Sequence, residues 1–132
     1  MRFVAVGDVM VDVVCPQLPP PNERVHAEAS IRAGGSAVNA AVAAVGAGSP
    51  AEVVGRIGSD SAGELVAAEL DELGIEAHLA RDQELRTGIA ISLGDDPSSP
   101  SVVANRGANA RLSPGDVPDV LEADCLFVSG FA

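Results

Sequence analysis

The residues best suited to chemistry in this chain are Gly34-Gly35-Ser36-Ala37-Val38-Asn39, two glycines ahead of a helical pattern with an asparagine on its first turn. Glycines allow close approach to the backbone, and the first amides of a helix lack internal acceptors. An Asn side chain offers one donor and one acceptor group to a pair of hydroxyls. That combination suits a polyol, while a tight loop with its own capping network is the alternative on spacing alone. The run is neither a dinucleotide fingerprint nor a P-loop, because the glycine spacing differs and there is no lysine. All eight cations are arginines, which also removes Schiff-base chemistry. Cys15 and Cys125 stand far apart in apolar runs, with no CxxC or Cys/His spacing for zinc. Two buried, reduced thiols are expected, and no metal site.

The elements that must carry these residues follow a βα rhythm. Phe3 to Asp8 is a short apolar run ending in Gly-Asp, the form of a buried strand with a polar loop at its C-terminal end. In open α/β sheets such strand ends are where ligands bind. From Ser36 to Val45 the positions Val38, Ala41, Val42 and Val45 have helical spacing, with glycines before and after. Ala51 to Ile57 predicts a strand. Ser61-Ala62-Gly63-Glu64 has the form of a capping box, with Leu65, Val66, Leu70 and Leu73 as a core face and Glu69, Asp71 and Glu72 facing water. Gly74 ends this helix, and Ile75 to Ala80 is the next strand. The order implies right-handed crossovers and a parallel sheet.

Two stretches break the rhythm. Val9 to Val14 and Val25 to Ala33 are strand-like on either side of a proline-rich link, Cys15 to Asn22, whose prolines cannot lie in a central ladder. A stiff surface connection is expected there, a polyproline docking segment being the sharper alternative. Thr87 to Leu93 and Ser101 to Ala104 flank a turn and predict a β-hairpin. Ser113-Pro114 should start a short helix running to about Glu122, and Asp124 to Ser129 one more buried strand.

Composition bounds the rest. A chain of 132 residues with 47% apolar and only 2% aromatic residues makes one core of Val, Ala, Leu and Ile. A net charge of −11 leaves little with which to neutralise nucleic-acid phosphates. The apolar runs are too short to cross a bilayer, and the start at Arg2-Phe3-Val4 already resembles a strand, so the expected location is the cytoplasm.

Gly34 to Ala41, continuing to Gly55-Arg56-Ile57-Gly58-Ser59-Asp60-Ser61-Ala62-Gly63, closely resembles the first signature of the PfkB-type, ribokinase-like carbohydrate kinases. Gly7-Asp8 with Asp12, Thr87-Gly88, and Gly107-Ala108-Asn109-Ala110-Arg111-Leu112 fall in the family's order, so the resemblance spans the chain. It implies the N-terminal portion, residues 1–132, of a three-layer α/β/α sandwich with a mostly parallel sheet and a small β lid built from about residues 12–33 and 86–106. It further implies that Asp12, Gly34, Gly35 and Asn39 bind sugar hydroxyls, as an ionised carboxylate does with short, charge-assisted bonds. Arg106 could face a substrate carboxylate or phosphate, or form a plain surface ion pair. Gly58, Asp60 and Gly63 are expected to shape a turn and a helix start.

The implied reaction is ATP- and Mg2+-dependent phosphorylation of a sugar, sugar acid or nucleoside hydroxyl. The alternatives are a non-catalytic sugar-binding module, pairing through its lid, and an inactive kinase fragment. Ser36 stands where ribokinases usually have lysine, which turns the expectation away from ribose itself. The second signature, Gly-Ala-Gly-Asp, is absent from these 132 residues. With no base or anion hole to assign, the chain alone should not catalyse phosphoryl transfer.

Overall fold

A computed structural model describes residues 1–129. Four strands, β1 (Phe3–Val6), β4 (Ala51–Gly58), β5 (Glu76–Asp82) and β8 (Cys125–Val128), form a parallel core sheet in the order β5-β4-β1-β8. A second sheet, in the order β3-β2-β6-β7, contains β2 (Met10–Cys15), β3 (Ser30–Gly34), β6 (Gly88–Leu93) and β7 (Ser101–Asn105). Its central pair, β2 and β6, is parallel and both outer pairs are antiparallel. The two excursions from the βα rhythm thus supply all four strands of one separate small sheet.

Helices α1 (Ser36–Gly46) and α2 (Ser61–Glu72) belong to one core with the β1 and β4 strands. Val9, Val38, Val53, Ile57, Val66 and Leu70 are fully enclosed there. Each such burial contributes roughly 1.5–3 kcal/mol, which small side chains achieve by close approach of helix and sheet. Val4, Val6 and Val54 form a second cluster, against Leu112, Val117 and Leu121.

Several expectations need correction. Val42 and Leu73 are 40% and 42% exposed, because each lies beyond the edge of its helix's buried stripe. Glu69, expected in water, is part-buried and accepts a hydrogen bond from Ala33 N at 2.8 Å, tying α2 to β3. The cap of α2 is Asp60, which accepts from Gly63 N at 2.9 Å, so Ser61 is already the first helical residue. Only residues from Ser30 onward pair in the predicted 25–33 strand, since the β2–β3 ladder runs out at Val14 and Ser30.

The helix expected from Ser113 to Glu122 is a single 3₁₀ turn, Pro114–Asp116. Pro118 explains this: it has no N–H to continue the helix and drives the preceding Val117 into extended backbone, observed at ψ 131°. Cys15 is half-buried and Cys125 exposed, not enclosed. Cys125 begins β8, an edge strand whose Leu126 and Val128 are also open, and Cys15 ends β2.

Candidate functional site

The small sheet meets the core at the start of α1. Strand β2 carries Asp12 opposite Arg32 of β3, and two residues beyond Arg32 the chain turns through Gly34 and Gly35 into the helix. Gly34 lies directly beneath the Asp12 carboxylate: a Cβ there would stand 2.1 Å from Asp12 Oδ2. Gly35 caps α1 at φ +93°, where a Cβ would also collide with the Asp8 carbonyl oxygen at 2.4 Å. Glycine is therefore required at 35 for space and backbone conformation together, while at 34 any side chain would displace the Asp12 carboxylate.

The carboxylate of Asp12 accepts no hydrogen bond from any described residue. Burial raises its pKa above the ordinary 3.8, against the opposing charge of Arg32. At the helix start, Ala37 N donates to Asp8 O at 3.1 Å and Asn39 N to Gly35 O at 2.9 Å. The amides of Ser36 and Val38 find no acceptor among the described residues, and the Ser36 hydroxyl is buried without one. Asn39 is exposed on the first turn, its amide group engaging no described residue. An unspent carboxylate, open helix amides and a free carboxamide thus lie around one glycine pair. Such groups hydrogen-bond to hydroxyls.

Asp12, Gly34 and Gly35 are in immediate mutual proximity through Asp8 and the glycine turn. Arg106 reaches them indirectly. Its Nη2 and Nε donate to Asp8 Oδ1 and Oδ2 at 2.8 and 3.3 Å, and this bond raises its pKa further. Beside it, buried Asn109 accepts from Val9 N at 2.8 Å and donates to Val9 O and Arg106 O at 2.9 and 2.8 Å. Sequence reading missed both Asp8 and Asn109 as organising residues. Their only signals were a strand-ending Gly-Asp and the Gly-Ala-Asn run, which lie about one hundred residues apart.

Gly58, Asp60 and Gly63 form a different cluster. Asp60 accepts from Gly63 N, Thr87 N and Thr87 Oγ1, and Gly58 N donates to Thr87 Oγ1 at 3.0 Å. Burial pushes the Asp60 carboxyl upward, but the Thr87 hydroxyl and the Thr87 and Gly63 amides outweigh it, leaving the pKa below its ordinary value. The Gly63 bond caps α2, and the others tie that cap and the end of β4 to Thr87, the residue before β6. At the ends of the core strands away from this region, Glu52, Glu76 and His78 place ligand-type atoms within 4.8 Å of one another, but Arg2 is already bonded to both carboxylates.

The sequence matches the pfkB family carbohydrate kinase profile over residues 2–132. An ATP-dependent ribose-1-phosphate kinase of Halopiger xanaduensis is 31% identical over 127 residues, covering 90% of this chain and 42% of that protein. Among solved structures, ribokinase from Giardia lamblia superposes with a TM-score of 0.75 at 27% identity, covering 90% of this chain and 38% of the other. Arabidopsis thaliana ribokinase complexed with ribose and ATP gives 0.63 at 29% identity, covering 82% and 36%. The chain spans about two-fifths of the length of these relatives. Their ribokinase-type fold is the one found here, a parallel core sheet with helices and a small second sheet, and the chain belongs to the pfkB family of carbohydrate kinases.

Proposed function

We propose that this chain is the substrate-binding part of an ATP-dependent kinase that phosphorylates a hydroxyl of a sugar or nucleoside. The observation carrying this reading is Asp12, a carboxylate raised in pKa, unspent on protein donors, and seated on Gly34 at a glycine-led helix start. Buried or half-buried carboxylates in folded proteins ordinarily collect hydrogen bonds. One that has none, facing open amides, is arranged for a ligand's donors and acceptors. Asp12 would take two vicinal hydroxyls, the Ser36 and Val38 amides and the Asn39 side chain would bind further oxygens, and Arg106 stands at the rim. The small sheet, from which Asp12 projects, acts as a lid.

ATP and Mg2+ belong to the complete enzyme. The residues gathered here do not fit them: lysine is lacking, Arg106 is committed to Asp8, and the neighbouring carboxylates of Asp8 and Glu69 are spent on Arg106 and Ala33 N. No step of phosphoryl transfer is therefore assigned to this site. The curated relative's ribose-1-phosphate specificity extends the acceptor panel to sugar phosphates. A second reading, pairing of two copies through the lid, draws on Ile31, Val102 and Val103 of the outer strands, which are 57%, 56% and 61% exposed. Sedimentation of the protein and of a Val103→Glu variant tests it.

For the kinase reading, the test is a coupled ATP-consumption assay over sugars, sugar acids, sugar phosphates and nucleosides, with calorimetric binding in parallel. The protein should be expressed from the whole reading frame containing this chain. One acceptor class should support turnover, and Asp12→Ala should abolish its binding while leaving the fold intact. Unchanged affinity in that variant removes Asp12 from the site.

A further inference from the structure

The chain passes between core and small sheet four times, and the first passage is only three residues long, Gly7, Asp8 and Val9 between β1 and β2. It delivers Asp12 four residues after Asp8. Whatever fixes Asp8 and Val9, the last two of these, therefore fixes where Asp12 stands relative to the start of α1. The main-chain groups of Val9 are both held by Asn109. Asp8 is held differently at its two ends. Its carbonyl oxygen accepts from Ala37 N and lies against Gly35, while its side chain, in a residue only 8% exposed, is gripped at two points by Arg106.

Arg106 follows directly on β7, at the last passage back from the small sheet. Asp8 is thus the residue at which the helix start, the first passage and the last passage meet. A two-point guanidinium–carboxylate bond fixes orientation as well as distance. Its buried carboxylate also needs that positive partner, since unpairing a largely buried charge is costly.

Resting on the sugar site proposed above, we propose that Asp8 is a positioning residue for substrate. Through Arg106 it sets the angle of the small sheet, and hence the place of Asp12 over Gly34 and Gly35. Arg106 then acts through Asp8, and its guanidinium is not the group that binds the sugar.

Asp8→Asn separates these roles, because it keeps the shape of residue 8 and leaves the guanidinium in place. The complete protein is compared with Asp8→Asn, Arg106→Gln and the double variant, reading the KM of D-ribose or the best acceptor found, the KM of ATP, kcat, and amide exchange in β2. Positioning predicts that each single variant raises the acceptor KM about tenfold, leaves the KM of ATP unchanged and speeds exchange at Val11 to Val14. The double variant should be no worse than either, as expected for two partners of one interaction.

Retained or improved acceptor affinity in Asp8→Asn, with loss only in Arg106→Gln, overturns the proposal and makes Arg106 a direct ligand. A lower Tm with unchanged acceptor KM also overturns it, reducing the pair to a stability element. Should Asp8→Asn not fold, Arg106→Lys keeps the charge without the fork and must show the same selective rise in acceptor KM. A wild-type protein that binds no acceptor fails at the sugar site itself, a result distinct from normal binding in the variants.

Discussion

Asp12 and Asp82 are both aspartates on strands and both are largely shielded, yet the fold treats them in opposite ways. Asp82, at the end of β5 and 1% exposed, accepts from Leu85 N and Glu84 N at 2.8 and 2.9 Å, and pairs with Arg56 and Arg111. The two amides first, then Arg56 and Arg111, hold its pKa at about 2. Arg56 also reaches Asp116 at 2.9 Å, so this network anchors the 114–116 turn to the core sheet. Asp12 has no such donors, and burial moves its pKa upward. A carboxylate whose two oxygens are both engaged by protein donors serves the fold; one left without partners has bonding capacity unspent.

The most disruptive way to probe that contrast is Asp82→Ala. It leaves two loop amides and parts of two guanidinium groups without their acceptor, and each buried unsatisfied group is costly. Thermal denaturation should show a fall in Tm on the order of 10 °C, with acceptor affinity of the remaining folded protein little changed. A selective loss of sugar binding at full stability would break the distinction between the two aspartates.

Gly34→Ala comes next in size. Its new Cβ would have to displace the Asp12 carboxylate from 2.1 Å, and the carboxylate, being a side-chain end, can move aside. Stability should therefore suffer little, while acceptor affinity falls roughly tenfold, the loss expected of a misplaced charged hydrogen bond. Calorimetry on the folded variant checks this, and wild-type affinity would place the sugar elsewhere.

These two positions also show what the sequence could and could not convey. The start of α1 after Gly34 and Gly35 was legible because glycines ahead of helical spacing are a local pattern, and helix α2 was legible from the spacing of Val66 and Leu70. The 113–122 helix failed because a serine-proline start is a strong local signal, while the stop set by Pro118 was passed over. The engagement of Asp82 by Arg56 and Arg111, and of Val9 by Asn109, was illegible for another reason. Those contacts join residues 26 to 100 positions apart, and nothing local in the chain marks them.

Acid separates the two aspartates with a smaller change. Asp82 has a depressed folded pKa, so its contribution to stability is complete above its unfolded value near 3.8 and disappears as pH falls through about 2. Asp12 titrates above 3.8. Sugar binding that needs its ionised form should thus decline, by up to about tenfold per pH unit, at a pH where the fold is still intact. Calorimetric titrations paired with circular dichroism across the acid range check the order, and simultaneous loss of binding and fold would contradict it.

The smallest effect has the most telling sign. Because the folded pKa of Asp12 is raised, ionising it costs the folded state more than the unfolded one, so at neutral pH its charge subtracts from stability. Asp12→Asn keeps the shape over Gly34 and removes that charge, at the expense of the attraction to Arg32. Since burial outweighs Arg32 in setting the pKa, the variant should melt no lower than wild type, and by about 1–2 °C higher at neutral pH, while losing acceptor binding. A gain in stability bought with loss of binding is the signature of a group held for its ligand. A clear fall in Tm would mean that Asp12, like Asp82, is held in place for the fold.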